Sequence, residues 1–270
     1  MFSESDIFKP QILAVEKDFL VVYKPPCLHS APLVNSPGET ILHWCSALFP
    51  EVADVPGRKA GEGGLLHRLD YETQGLMLLT RNRQGMESLL RQQAEGKILK
   101  EYNALTAKSD KKLPGFPVMC GKYNFGSYCG DEEMQRSQNC CTDSPIRIQS
   151  AFRAYGPGRK AVRPVSIDIN DNKGEPYTTE ILDCSSVSET GLFSFRLRIW
   201  KGFRHQIRAH LAWLGFPILN DSLYGGKSYD TGLLALRAYS ISFNDPTSNE
   251  ERSYSIPQLL PAFFRISAAR

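Results

Sequence analysis

Two short apolar runs open the chain, Ile12-Leu13-Ala14-Val15 and Phe19-Leu20-Val21-Val22-Tyr23, and the turn-like Glu16-Lys17-Asp18 between them predicts a β-hairpin. Lys24-Pro25-Pro26 ends the second run, because proline brings no N–H to a sheet ladder, and a loop to residue 38 follows. Ile41, Leu42, Cys45 and Leu48 recur at near-helical spacing and predict a short helix over 40–49. A Gly- and charge-rich loop over 55–64 delivers the chain to Leu65-Leu66-His67-Arg68-Leu69-Asp70, and 75–80 (Gly-Leu-Met-Leu-Leu-Thr) reads as a buried strand. Asn82 is a suitable N-cap for a helix whose face carries Met86, Leu89, Leu90 and Gln93 and which stops at Gly96. Tyr102-Asn103-Ala104-Leu105-Thr106 then alternates as a strand.

Residues 107–164 are different in kind. They are rich in Gly, Pro, Ser, Asn and Cys, show little periodicity, and exceed an ordinary connection in length, so they read as an elaborated insertion. Regular patterning returns at 177–182 and at 193–199, where alternation puts Arg196 and Arg198 on one face and apolar residues on the other. Ile207, Leu211 and Leu214, followed by Gly215 and Pro217 as stop signals, predict a helix over 204–214. No internal repeat is visible. Many short strands with a few helices, without regular strand-helix alternation, point to an α+β fold: a mixed, largely antiparallel sheet with flanking helices and loops.

Composition narrows the class. A chain of 270 residues with 41% hydrophobic residues buries a sizeable core, which excludes a disordered chain or a disulfide mini-protein. Lys+Arg, 32, exceed Asp+Glu, 29, by only 3, so any site for a polyanion is local rather than global. The longest apolar stretch, Leu211 to Leu219, holds nine residues including Gly215 and Pro217, against roughly 20 needed to span a bilayer, so no membrane association is expected. Glu4, Asp6 and Lys9 interrupt the first 17 residues, which resemble neither a secretion signal nor a transit peptide, and a cytoplasmic location is expected. Seven cysteines, an odd number with no C-x-x-C pair, argue for reduced thiols rather than a disulfide framework, and the four at Cys120, Cys129, Cys140 and Cys141 have irregular spacing for a metal site.

Three clusters hold residues capable of chemistry. Asp70 stands alone in a sharp loop before an apolar strand, where an Asx-turn or N-cap role is the ordinary reading of an aspartate. Lys100-Glu101-Tyr102 heads a strand, and a half-buried sheet tyrosine is the ordinary reading there. Arg204 and Arg208, four apart on the expected helix, share a face that suits phosphates or a carboxylate, and a solvated surface would carry them equally well.

The order of the clusters carries more than any one of them. H-R-L-D-x-x-T-x-G-L, then K-x-Y-x-A, then H-Q-I-R-x-H-L-x-x-x-G-x-P-I-x-x-D-x-x-Y-G resembles the RluA-type family of RNA pseudouridine synthases, and I-L-A-V-E-K-D-F-L-V-V-Y-K-P looks like that family's opening strand pair. The resemblance covers 12–225 apart from the insertion. It implies that Asp70 is the nucleophile that attacks the target uridine or its sugar carbon, a role that suits a carboxylate able to form and release an adduct. It further implies that Tyr102 stacks on the uracil and serves the proton transfer from C5, and that Arg208 pairs with the aspartate and keeps it ionised. By the same resemblance Ile207 packs against the base, while His67 and Arg68 flank the nucleophile in a loop that displaces the base from its stack. Gln74 stands where the family usually has Ser, and Gly202-Phe203-Arg204-His205-Gln206 replaces the usual G-R-T-H-Q, which moves the arginine at Arg204 by one position.

The expected partner is RNA, ribosomal or transfer, held by one catalytic domain over 1–270 with its insertion at about 107–164 and with no separate S4 domain before the first strand at about Ile12. Arg81, Arg83, Arg91, Lys97 and Lys100, with Arg153, Arg159, Lys160 and Arg163 in the insertion, are available for phosphates. An isomerisation changes no redox state and carries no group, so no cofactor, metal or obligatory protein partner is expected. Two other readings remain: a non-catalytic RNA-binding or ribosome-assembly module retaining the fold, and a glycosidic-bond hydrolase. The hydrolase wants a second acid, for which only Glu72 is near.

Overall fold

The two opening runs pair as foreseen. In a computed structural model that describes residues 7–33, 38–111, 113, 145–167, 176–187 and 190–259, β1 (Gln11–Val15) lies antiparallel to β2 (Phe19–Lys24). The chain gathers into two units, Met1–Glu101 with Arg237–Gln258, and Tyr102–Leu236 with Leu259–Arg270.

In the first unit β2 is also antiparallel to β3 (Gln74–Thr80), and all residues of both strands are buried. A strand covered on both faces selects a continuous apolar run rather than an alternating one, as Leu76-Met77-Leu78-Leu79 shows. Each of those leucines, at most 1% exposed, contributes about 1.5–3 kcal/mol of apolar burial. β3 then meets β9 (Leu236–Asn244) in parallel through Gln74↔Arg237 and Gly75↔Ala238, and β10 (Glu251–Ser255) runs antiparallel to β9. Gly75 is required at that junction: its φ is +133°, and a Cβ there would lie 2.3 Å from the Ala238 carbonyl oxygen.

The helices of this unit start where their caps dictate. Thr40 Oγ1 accepts from His43 N at 3.1 Å to open α1 (Ile41–Leu48), which α2 (Glu51–Asp54) follows. Asn82 Oδ1 accepts from Gly85 N at 2.8 Å to open α3 (Arg83–Ala94), and the turn beyond it holds Gly96 at φ +69°.

β4 (Leu99–Ala107) brings the chain into the second unit, whose strand order is β4, β8 (Leu192–Ile199), β7 (Tyr177–Val187), β5 (Ile146–Tyr155), β6 (Ala161–Val165). The described part of the expected irregular insertion is thus a regular hairpin, β5–β6, turning at Pro157–Arg159. Its order comes from pairing with β7, Ile146↔Ile181 through Ser150↔Tyr177, which the mixed side chains of 146–155 do not announce. The rest of the insertion, with Cys120, Cys129, Cys140 and Cys141, lies outside the described residues, whereas Cys27 and Cys45 are free thiols.

α4 (Gln206–Trp213) corrects the expected start at 204. His205, directly before it, takes a left-handed conformation (φ 54°, ψ 20°), which breaks the helix and leaves Arg204 outside it. His210 ties this helix to the sheet: Ser150 Oγ lies 2.9 Å from its Nε2 and Thr179 Oγ1 2.8 Å from its Nδ1. The whole is a mixed, mostly antiparallel α+β fold, and among the described residues no helix is long and apolar enough to cross a membrane.

Candidate active site

Asp70 lies on a loop whose backbone is held on both sides. Leu66 N donates to the Leu78 carbonyl at 3.2 Å, aligning the approach with β3. His67 continues the alignment with its side chain, since Nε2 accepts from Leu78 N at 3.2 Å. That bond fixes the neutral tautomer with its proton on Nδ1. Burial keeps the ring well below its ordinary pKa, aided by the charges of Lys100 and Arg58. Arg68 points outward and meets Glu62 at 3.3 Å.

Next, Ser30 Oγ clamps Leu69 through both backbone groups, donating to its carbonyl at 2.8 Å and accepting from its N–H at 3.0 Å. The Asp70 carbonyl accepts from Thr73 N at 3.1 Å, closing a tight turn. On the far side Lys24 Nζ donates to the Tyr71 carbonyl at 3.2 Å and to the carbonyls of Pro25 and Leu28, each at 2.8 Å. Lys24 is fully buried. Burial brings its pKa down to about 7, with Asp70 foremost among the anionic groups that oppose the shift. The nucleophile candidate therefore sits half-exposed between two pinned residues, in the field of a buried lysine, and Tyr71 beside it is exposed with its ring 4.6 Å from His29.

Gln74, the departure four residues on, is buried behind the loop: its Oε1 accepts from Tyr23 Oη at 2.9 Å and from Arg237 Nη2 at 2.9 Å. The longer side chain thus belongs to the junction of β2, β3 and β9.

In the second unit Tyr102 is buried on β4 at 6% exposure, and Ile207 is buried on α4. Arg208 is buried beside Ile207 and grips Asp221 with two prongs, Nε to Oδ2 at 2.8 Å and Nη2 to Oδ1 at 2.9 Å. Its guanidinium lies over the Tyr224 ring, 5.5 Å from the centroid, and the Tyr224 hydroxyl stands 3.2 Å from His205 Nδ1. Arg204 does not share this environment. It is exposed before the helix, and its Nη2 donates to the carbonyls of Arg159 (3.0 Å) and Ala161 (3.2 Å), so the shared helix face expected for Arg204 and Arg208 does not exist.

The motifs thus located Asp70, Tyr102 and Arg208, but not the residues that hold them. Ser30 and Lys24 act on the loop from about 40 residues away in sequence, and the only signal was a lysine closing an otherwise apolar run. Asp221 is the aspartate in the tail of the third motif, and its ion pair with Arg208 holds α4.

Comparison with known proteins shows the family and the fold. The sequence pattern of the RNA pseudouridylate synthase family matches residues 18–213. The ribosomal large subunit pseudouridine synthase D of Haemophilus ducreyi is 28% identical over 243 residues, 86% of this chain and 61% of that protein. Its counterpart in Yersinia pestis is 29% identical over 217 residues, 80% of this chain and 53% of that protein, so the chain spans between half and two thirds of these relatives. Among solved structures, human RNA pseudouridylate synthase domain containing 1 superposes with a TM-score of 0.60 at 21% identity, covering 95% of this chain and 86% of that one. Human RNA pseudouridylate synthase domain containing 4 gives 0.55 at 21% identity, with 94% and 90% covered. These two likenesses speak for the fold, and the match over 18–213, which contains Asp70, Tyr102 and Arg208, makes the chain a member of the RNA pseudouridylate synthase family.

Proposed function

We propose that this protein converts uridine to pseudouridine in structured RNA, with Asp70 as nucleophile. The observation that carries the proposal is the loop: a half-exposed carboxylate whose neighbours Leu69 and Tyr71 are pinned by Ser30 and Lys24. Such pinning keeps a reacting group in place without reorganisation during the reaction. In the proposed reaction the bond from N1 of the uracil to the sugar C1′ breaks, the base turns, and C5 bonds to C1′. The C5 proton leaves and N1 gains one, so atoms and electrons balance with no cofactor. Tyr102 serves the proton transfer from C5, and Arg208 is the arginine that the motif assigns to the nucleophile.

The RNA grip lies in part on the β5–β6 hairpin. Arg153 and Arg163 stand directly opposite each other in its register, a like-charge pairing that costs stability. Among the described residues neither has a carboxylate partner, and Arg163 instead lies 5.9 Å from the Tyr155 ring centroid. Phosphates relieve that repulsion. In this reading Arg204 braces the hairpin's turn through the Arg159 and Ala161 carbonyls. His67, Arg68 and Ile207 serve the target base and its displacement. The relatives' names make large-subunit ribosomal RNA the first substrate to try and transfer RNA the second, in a cytoplasmic setting with no protein partner required.

The test is incubation with unmodified transcripts of both kinds carrying uridine tritiated at C5. Tritium release with pseudouridine formed and no free uracil supports the proposal. Free uracil makes the protein a hydrolase, and binding without either product makes it an RNA-binding module.

A further inference from the structure

Three consecutive residues, Leu28, His29 and Ser30, run along the nucleophile loop. The Leu28 carbonyl shares the Lys24 ammonium with the Tyr71 carbonyl, and Ser30 Oγ holds Leu69. Between them the His29 ring lies against the Tyr71 ring, with centroids 4.6 Å apart and planes inclined at 39°. His29 is itself fixed: it forms a parallel bridge with Thr40, and its carbonyl accepts from Ile41 N at 2.9 Å where α1 begins. The Tyr71 side chain is thus held by a ring on a separate anchor, independently of the lysine that holds its backbone. Yet Tyr71 keeps 43% of its surface in water. A single exposed aromatic is ordinary in a folded protein. This one is ordered by a second ring, at a cost in rotamer freedom that its own partial burial offsets poorly, and it directly follows the half-exposed Asp70 in one tight turn.

We infer that the Tyr71 ring, braced by His29, is a stacking site for the nucleobase that neighbours the target uridine in the RNA strand. The inference rests on RNA being the substrate. A uridine drawn out of its stack toward Asp70 leaves the adjacent base with an uncovered face. Splayed bases in RNA are held chiefly by stacking on aromatic side chains, and a ring one residue from the nucleophile stands where such a base emerges. Every nucleobase has a π-face, so the site accepts any of the four and adds affinity rather than a sequence code.

The test is made on the full chain with the transcript, ribosomal or transfer, that the wild type binds more tightly. Tyr71→Ala and Tyr71→Leu are expected to bind it about tenfold more weakly, the loss of one base–aromatic stack, while Tyr71→Phe stays within about twofold of wild type. The slope of log Kd against log KCl concentration is expected to be unchanged in all three, because a neutral ring displaces no counterions. Their melting temperatures are expected to stay within about 1 °C of wild type, since the altered ring is exposed, and Tyr71→Leu serves if Tyr71→Ala does not fold. Wild-type affinity in the folded Ala or Leu variant would overturn the stacking site. So would a loss in Tyr71→Phe equal to that in Tyr71→Ala, which would make the hydroxyl the contact, or a reduced salt slope, which would make it a phosphate contact. A wild-type protein that binds neither transcript would sink the proposed function, and this inference with it.

Discussion

Arg208 and Asp221 meet in a buried two-pronged ion pair in which the arginine side chain is 2% exposed and the aspartate 0%. Removing one partner of such a buried pair is strongly destabilising, at about 3–5 kcal/mol. Asp221→Ala is therefore expected to lower the unfolding free energy by about that amount, read from urea denaturation. Arg208→Lys, which keeps the charge but loses the planar fork, is expected to fall between it and the wild type.

Lys24 should show its effect at the nucleophile loop rather than in RNA binding. Lys24→Met removes the side chain that donates to the Tyr71 carbonyl, and with it the donor to Pro25 and Leu28. The expected outcome is a single-turnover rate lowered by tenfold or more with RNA affinity within about threefold, because misplacing a reacting group by about 1 Å costs on the order of 10²-fold. Equal losses in both would assign Lys24 to binding.

Tyr102→Phe keeps the ring and removes the hydroxyl. General acid–base catalysis contributes about 10²–10⁴-fold, so the rate constant should fall within that range while the Kd for RNA stays close to wild type. Rapid-quench measurement with C5-tritiated RNA reads the rate, and a parallel titration at equilibrium reads the affinity.

Stability should fall on mild acidification, with a sign set by His210. Burial pushes its pKa down to about 3, so the folded ring stays neutral, whereas in the unfolded chain it takes up a proton below its ordinary value of about 6.5. The unfolded state thus binds more protons between those values. The contribution is complete above about pH 6.5 and is lost as pH falls toward 3, at up to about 1.4 kcal/mol per pH unit. His67, also held low, acts in the same direction. His210→Gln should flatten the dependence of unfolding free energy on pH between 6.5 and 4.5, and an unchanged slope would remove His210 from the account.

The readable parts of the fold were those that local chemistry decides. The hairpin of β1 and β2, the capping residues Thr40 and Asn82, and the apolar run of β3 each depend on neighbours within a few residues. What was missed depends on distant partners. β5 is ordered by β7, β9 carries the buried Arg237 in its interior, and α4 begins late because His205 adopts a left-handed backbone that no periodicity reveals. The candidate residues divide in the same way: three motifs mark Asp70, Tyr102 and Arg208, but Ser30 and Lys24, which hold the loop of Asp70, and Asp221, which holds the helix of Arg208, are joined to them only by the fold.

Pseudouridine mapping of total RNA from cells with the gene intact, deleted, restored, or restored as Asp70→Ala bears on the nucleophile assignment whichever uridine the protein modifies. The expected result is a uridine whose modification disappears on deletion, returns with the unaltered gene, and stays absent with Asp70→Ala although the variant is produced and folded. Modification restored to the wild-type level by Asp70→Ala would contradict the account, and the pinned loop would then be a structural turn.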